Sequence, residues 1–215
     1  MVKDKQQIVV LGGSFNPPTL AHYMLMKEAV NALRADLGFF VPVSDAYLKR
    51  KMRHTHPPVV LSPEMRVRML KSMCADDKRL QVCVKEIGTS GTRTLQTLAA
   101  LQEEYQDAEL FFIMGSDKLD LLAHLAERWG FLDKYCVVLY ARENTLFEKT
   151  LRNYEILASY TDRIVVLPQP EGTEGISSSL VREKILKGEA FQKMLYPGVW
   201  NLLKDRNILE DEIQY

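Results

Sequence analysis

The 215-residue sequence predicts an α/β fold, an open, doubly wound and mainly parallel sheet of about six strands with helices on both faces. Three observations predict it. Short apolar runs recur along the chain and alternate with longer stretches of helical pattern, as in βαβ units. Turns rich in glycine or hydroxyl residues stand between several of these runs and the helices that follow, where open α/β sheets bind ligands. Composition is that of a globular protein, 47% hydrophobic and 26% charged, with enough apolar side chains to bury a sheet on both sides. The length fits one domain, 1–215, with a helical C-terminal part from about residue 176.

The charge balance narrows the partners. Lys+Arg and Asp+Glu both total 28, so the formal net charge is zero. That predicts no nucleic acid and no membrane surface as partner, and confines any anion site to a local cluster. No apolar run approaches the roughly 20 residues of a membrane-spanning helix. The N-terminal residues lead straight into the first strand without a signal-peptide pattern. Cys74, Cys83 and Cys136 are odd in number and lack metal-ligand spacing. They predict reduced thiols, a cytoplasmic or nuclear location and no structural metal.

The first strand is 8–11, Ile-Val-Val-Leu, and the first helix covers 23–33. Between them lies Gly12-Gly13-Ser14-Phe15-Asn16-Pro17-Pro18-Thr19-Leu20-Ala21-His22. Gly12 and Gly13 let a ligand approach the backbone, Pro17 and Pro18 stiffen the loop, and Thr19 suits the N-cap. The free N–H groups of the helix start favour a phosphate, with His22 at the same end. A second strand, 38–43, completes a βαβ unit, right-handed and parallel. The basic segment 44–58 reads as a polar loop, with Lys49, Arg50, Lys51 and Arg53 as solvated charges or as an anion clamp. Its His54 and His56 are too close in sequence for a convincing metal pair.

Ser62 and Pro63 start the next helix, as cap and first helical residue. Residues 80–87 read as the third strand and 88–93 as a loop. A helix follows from Thr94 to about Tyr105. Arg93, beside that helix start, is either a surface charge or a partner for a carboxylate or phosphate. The apolar run 109–114 is a central strand ending in Gly115-Ser116-Asp117, close backbone approach plus one acceptor for ribose hydroxyls. Trp129 follows, open to packing or to stacking on a base. Residues 134–140 are the fifth strand, then Ala141-Arg142-Glu143. Residues 146–160 are helical by pattern and 163–168 form the sixth strand. Finally, Ile176-Ser177-Ser178-Ser179-Leu180-Val181-Arg182 opens a helix that stops at Gly188. It is either a capped helix or a polyphosphate site. A last helix runs toward Leu209.

Gly13 to His22 resembles the G-x-F-x-P-x-[H/T]-x-x-H signature of the nucleotidylyltransferase α/β superfamily, whose sheet is Rossmann-like. Within it the chain is most similar to the nicotinamide/nicotinate mononucleotide adenylyltransferases. Val43 to Arg50 is similar to their V-N-D-x-Y-x-K-K stretch, Gly115, Asp117 and Trp129 to their G-x-D…W segment, and Ile176 to Arg182 to their I-S-S/A-T-x-x-R signature. Arg66-Val67-Arg68-Met69 fits their H/S-R-V/L-x-M pattern. Thr19, where many superfamily members have His, points to the eukaryotic-type subgroup. Gln96 departs from the acid of the bacterial Y-T-x-D-T-L motif, which leaves the choice of pyridine base open.

The resemblance implies AMP transfer from ATP to nicotinamide or nicotinate mononucleotide, with Mg²⁺ accompanying ATP. It implies His22 and Arg182 as catalytic residues. For ATP it implies these two together with Gly13, Ser14, Phe15, Thr19, Gly115, Asp117, Arg142, Ser177 and Ser178; for the mononucleotide, Ser14, Phe15, Tyr47, Lys49, Arg93, Thr94 and Trp129. A homo-oligomer is compatible with it. Two alternatives stay open: an enzyme of the same fold acting on another phosphorylated acceptor such as phosphopantetheine, and a catalytically silent nucleotide-binding protein. A dehydrogenase does not fit, because Gly12-Gly13-Ser14 is not G-x-G-x-x-G.

Overall fold

Apolar side chains that alternate along the buried runs build one six-stranded sheet, ordered β3-β2-β1-β4-β5-β6. The structure, a computed structural model, describes residues 5–55, 60–91, 94–141 and 153–204. The strands are β1 (Gln7–Gly13), β2 (Leu37–Pro42), β3 (Leu80–Val82), β4 (Glu109–Gly115), β5 (Cys136–Ala141) and β6 (Ile164–Pro168). Each neighbouring pair is parallel, so the expected doubly wound α/β sheet is the observed one.

Period-two alternation sends successive side chains to opposite faces. Val9, Leu11, Phe40, Ile113 and Val138 face one layer, formed with α1 (Leu20–Ala32), α3 (Pro63–Cys74), α8 (Ser178–Leu186) and α9 (Pro197–Lys204). Ile8, Val10, Phe39, Leu110 and Val137 face the other, with α4 (Thr94–Glu104), α5 (Leu119–Trp129), α6 (Phe131–Lys134) and α7 (Glu155–Ala158). The chain leaves β1 toward β2 on one side, while β4 lies on the other. That reversal opens a crevice at the carboxyl ends of β1 and β4, the switch point where such sheets bind ligands. Among the described residues no helix is long and apolar enough to cross a membrane.

Several elements differ from the sequence expectation. Residues 45–52 of the basic segment form a helix, α2 (Asp45–Met52). Ser44 caps it, its Oγ accepting the Tyr47 N–H at 3.2 Å, and Leu48 and Met52 bury one flank against Val43. An apolar pair at i, i+4 inside a charged run is enough to dock a short helix. The third strand stops at Val82. Beyond it, turn hydrogen bonds from Ile87 N–H to the Val84 carbonyl and from Thr89 N–H to the Glu86 carbonyl curl the chain, and the Glu86 carboxylate is buried facing Thr97 Oγ1. Residues 131–134 are helical, so β5 begins only at Cys136. Of the helix expected over 146–160, the described part is the single turn α7, and residues 142–152 lie outside the described residues. The last helix is described to Lys204.

Candidate active site

The switch-point crevice is a cavity of about 550 Å³. Three chain segments form its wall. The first is the loop after β1. The Asn16–Pro17 peptide is cis, and Phe15 takes a left-handed backbone with φ 47°, a strained conformation for a bulky residue that surrounding contacts must hold. Those contacts are visible. Phe15 is fully buried, edge-on to Phe40 at 5.9 Å and to the His22 ring at 5.0 Å. A Cβ on Gly13 would stand 2.9 Å from the Phe15 ring. Gly13 is therefore required by Phe15 packing, a demand the sequence did not reveal.

The second segment is the start of α1. Thr19 is the N-cap, and its backbone N–H donates to His22 Nδ1 at 3.0 Å, with Thr19 Oγ1 2.7 Å from the same nitrogen. An Nδ1 that accepts a backbone N–H carries no proton. The imidazole is then neutral with its proton on Nε2, a donor at the cavity wall. Loss of water around the ring, and then the charge of Lys51, lower the His22 pKa to about 4.

The third segment is the start of α8. Ser177 Oγ caps the helix by accepting the Leu180 N–H at 3.1 Å. Ser178 Oγ donates to the Pro17 carbonyl at 2.7 Å, and Arg182 donates to the Asn16 carbonyl at 2.6 Å and to Ser179 Oγ at 3.1 Å. Two helix N-termini far apart in sequence are thus fastened together through one loop. Their first-turn N–H groups and dipoles favour anions.

Gly115 and Asp117 close the cavity from the end of β4. A Cβ on Gly115 would sit 2.5 Å from Asp117 Oδ1, so the glycine lets the carboxylate fold back. Lys118 pairs with Asp117 at 2.9 Å.

Of the sequence-predicted residues, Gly13, Ser14, Phe15, His22, Gly115, Asp117, Ser177, Ser178 and Arg182 line this one cavity, and Thr19 stands buried behind His22. Thr94 and Trp129 come together elsewhere, in a second cavity of about 630 Å³ that also has Gln96, Lys134 and Tyr135 in its wall. Trp129 is 62% exposed, which sets aside a packing role. Tyr47 and Lys49 line neither cavity. Tyr47 packs on the Leu48–Met52 cluster under the Arg50 guanidinium, 5.5 Å from its ring, and Lys49 is exposed. The α2 helix turns Lys51 into the cavity instead, its Nζ 3.1 Å from Ser14 Oγ. Arg93 and Arg142 lie outside the described residues.

Arg66 was legible only as part of a pattern. It is fully buried on α3. Its guanidinium donates to the Ser14 carbonyl at 3.1 Å, the Val43 carbonyl at 2.9 Å and the Asp45 carboxylate at 2.6 Å. It ties the glycine loop, the end of β2 and the start of α2 into one unit.

Comparison with known proteins agrees with this geometry. The profile of the family described as cytidylyltransferase-like matches residues 10–184. A probable nicotinate-nucleotide adenylyltransferase of Shouchella clausii is 30% identical over 207 residues, covering 96% of this chain and 98% of its own length. A protein of the same name from Enterococcus faecalis is 28% identical, covering 97% of this chain and 87% of its own. Among solved structures, nicotinic acid mononucleotide adenylyltransferase of Plasmodium falciparum, complexed with NaAD, superposes with a TM-score of 0.66 at 17% identity, over 97% of this chain and 100% of that one.

Proposed function

The chain belongs to the cytidylyltransferase-like family, among its nicotinamide/nicotinate mononucleotide adenylyltransferases, and from that premise we propose that it transfers AMP from ATP to nicotinate or nicotinamide mononucleotide. Pyrophosphate leaves, and deamido-NAD or NAD is the product. One observation carries the proposal: two helix N-termini, His22 and Arg182 converge on a single cavity at the sheet's switch point.

The acceptor's 5′-phosphate is already an anion, so its attack on the α-phosphorus of ATP needs no general base. Catalysis then consists of alignment and of charge stabilisation. Neutral His22 donates from Nε2 to an oxygen of the α-phosphate, and the bond strengthens as charge builds there. The α8 N-terminus and Arg182 hold the β- and γ-phosphates and stabilise the departing pyrophosphate. Gly115 and Asp117 meet the nucleoside. The pyridine ring takes the second cavity, on Trp129, and Lys134 in its wall favours an acceptor that carries a carboxylate. The name of the two bacterial relatives agrees with a preference for nicotinate mononucleotide.

Magnesium fits as a companion of ATP. Among the described residues no three His, Cys, Asp or Glu side chains cluster as metal ligands, and Asp117 is the carboxylate at the main cavity. Such a donor set suits an ion held chiefly by phosphate oxygens and water. When bound, it neutralises phosphate charge.

Pyrophosphate release with Mg-ATP and each mononucleotide tests the function. Turnover with either is expected, with the higher kcat/KM for the nicotinate acceptor. Tight binding of an ATP analogue without release would favour a silent nucleotide-binding protein.

A further inference from the structure

The geometry points to Lys51 as the cation that receives the acceptor's phosphate and holds it against the α-phosphate, a role resting on the adenylyl transfer proposed above. Two anions must meet in this reaction, and the cavity has to offset their repulsion. Three described cations stand at it: Lys51, Lys118 and Arg182. Lys118 is neutralised by Asp117 at 2.9 Å. Arg182 commits part of its fork to the Asn16 carbonyl and the Ser179 hydroxyl. Lys51 differs. Among the described residues its Nζ forms no ion pair, and its side-chain partner is the neutral Ser14 hydroxyl at 3.1 Å, which an incoming phosphate oxygen can displace or share.

Position supports the assignment. Lys51 reaches the cavity from α2, which follows β2, whereas Arg182 reaches it from α8, far along the chain. An anion on Lys51 and an anion on α8 would therefore share the one cavity that His22 and Ser14 also line. The ammonium is also unsettled without an anion. Loss of water at the cavity wall, then the charges of Arg182 and Lys118, hold its pKa below the ordinary lysine value.

The helix that carries Lys51 cannot swing freely. Arg66 clamps its first residue, Asp45, and in the same fork holds the Ser14 carbonyl. Lys51 and Ser14 thus belong to one preorganised unit, which is what makes a fixed charge effective in a transition state. The family resemblance assigns the mononucleotide phosphate to Lys49, two residues earlier, but α2 leaves Lys49 exposed and away from both cavities.

Steady-state kinetics on Lys51→Ala, Lys51→Arg and Lys49→Ala, with Mg-ATP and nicotinate mononucleotide, test the inference. Circular dichroism melting checks that each variant folds. Lys51→Ala is expected to lose on the order of a hundredfold in kcat/KM for the mononucleotide, with KM for ATP changed by less than about threefold. Lys51→Arg, which keeps the charge, recovers at least about tenfold of that loss. Lys49→Ala falls less than Lys51→Ala. A folded Lys51→Ala enzyme within about threefold of wild type, or one weaker than wild type only in KM for ATP, overturns the role of Lys51. A loss larger for Lys49 than for Lys51 does the same. Wild-type protein silent with both mononucleotides overturns the proposed function instead, and the role of Lys51 falls with it.

Discussion

The backbone N–H of Thr19 donates to Nδ1 of His22 at 3.0 Å, three residues along the same helix start. A helix cap therefore sets the tautomer of the candidate catalytic histidine. The bond uses up the Nδ1 lone pair and leaves Nε2–H as the ring's free donor, which the proposed reaction aims at the phosphate. His22→Ala removes that donor and also the acceptor of the Thr19 N–H, so circular dichroism melting checks that the variant folds. It is expected to lower kcat on the order of a hundredfold, measured by pyrophosphate release. His22→Gln, whose amide nitrogen can replace Nε2–H, should keep more activity than His22→Ala. Turnover of His22→Ala within about threefold of wild type would exclude the assigned role.

The same environment makes a pH prediction. The folded-state pKa of His22 is lowered to about 4, from about 6.5 in an unfolded chain. The unfolded state then binds the proton more readily. The contribution of His22 to stability is fully present above about pH 6.5 and is lost as pH falls from there toward 4. Melting temperatures of wild type and His22→Gln should run parallel at about pH 7 to 8, with wild type losing more below about pH 6. Parallel curves down to about pH 4.5 would show that the ring titrates normally.

The sheet and the two helix starts at the cavity were legible in the sequence because they rest on local signals. Val9 and Val10 alternate between faces, Ser62-Pro63 marks a helix start, and Ser177 caps α8 as its position suggests. What escaped depends on contacts distant in sequence. Lys51 sits among Lys49, Arg50 and Arg53, and only the docking of Leu48 and Met52 decides which of the four charges turns inward. Ser178 looked like a phosphate ligand by type, yet its hydroxyl is engaged by a carbonyl 161 residues away. Gly13 looked like a residue for ligand approach, and its neighbour Phe15 requires it. Side-chain periodicity cannot report such partners.

That fastening of α8 to the glycine loop gives the third prediction. Ser178→Ala deletes one hydrogen bond to Pro17 and should cost about 1 kcal/mol. For a chain of this size that lowers Tm by roughly 2–4 °C. Arg182→Ala removes both the tie to Asn16 and a cation of the cavity, so under the proposed function KM for ATP should rise at least about tenfold and kcat should fall. If Arg182→Ala changed Tm alone, with ATP kinetics intact, Arg182 would be a structural brace only.

Arg66 gives the fourth. Its side chain is fully buried while Asp45 keeps a quarter of its side chain in water. The two partners should therefore respond unequally to mutation. Arg66→Met strands the Val43 and Ser14 carbonyls and the Asp45 carboxylate at once. Removing one member of a buried pair costs about 3–5 kcal/mol, a fall in Tm of roughly 6–20 °C. Asp45→Asn keeps an acceptor for Arg66 but leaves the buried guanidinium without its counter-charge, so its cost should lie near the lower end of that range, about 3 kcal/mol. The double variant Arg66→Met/Asp45→Asn should be less unstable than the two losses added together, because the neutral amide at position 45 no longer leaves a charge unpaired. Denaturant melts of the four proteins measure that coupling. Strict additivity would mean that the Arg66–Asp45 bond contributes nothing of its own and that Arg66 acts only through the two carbonyls.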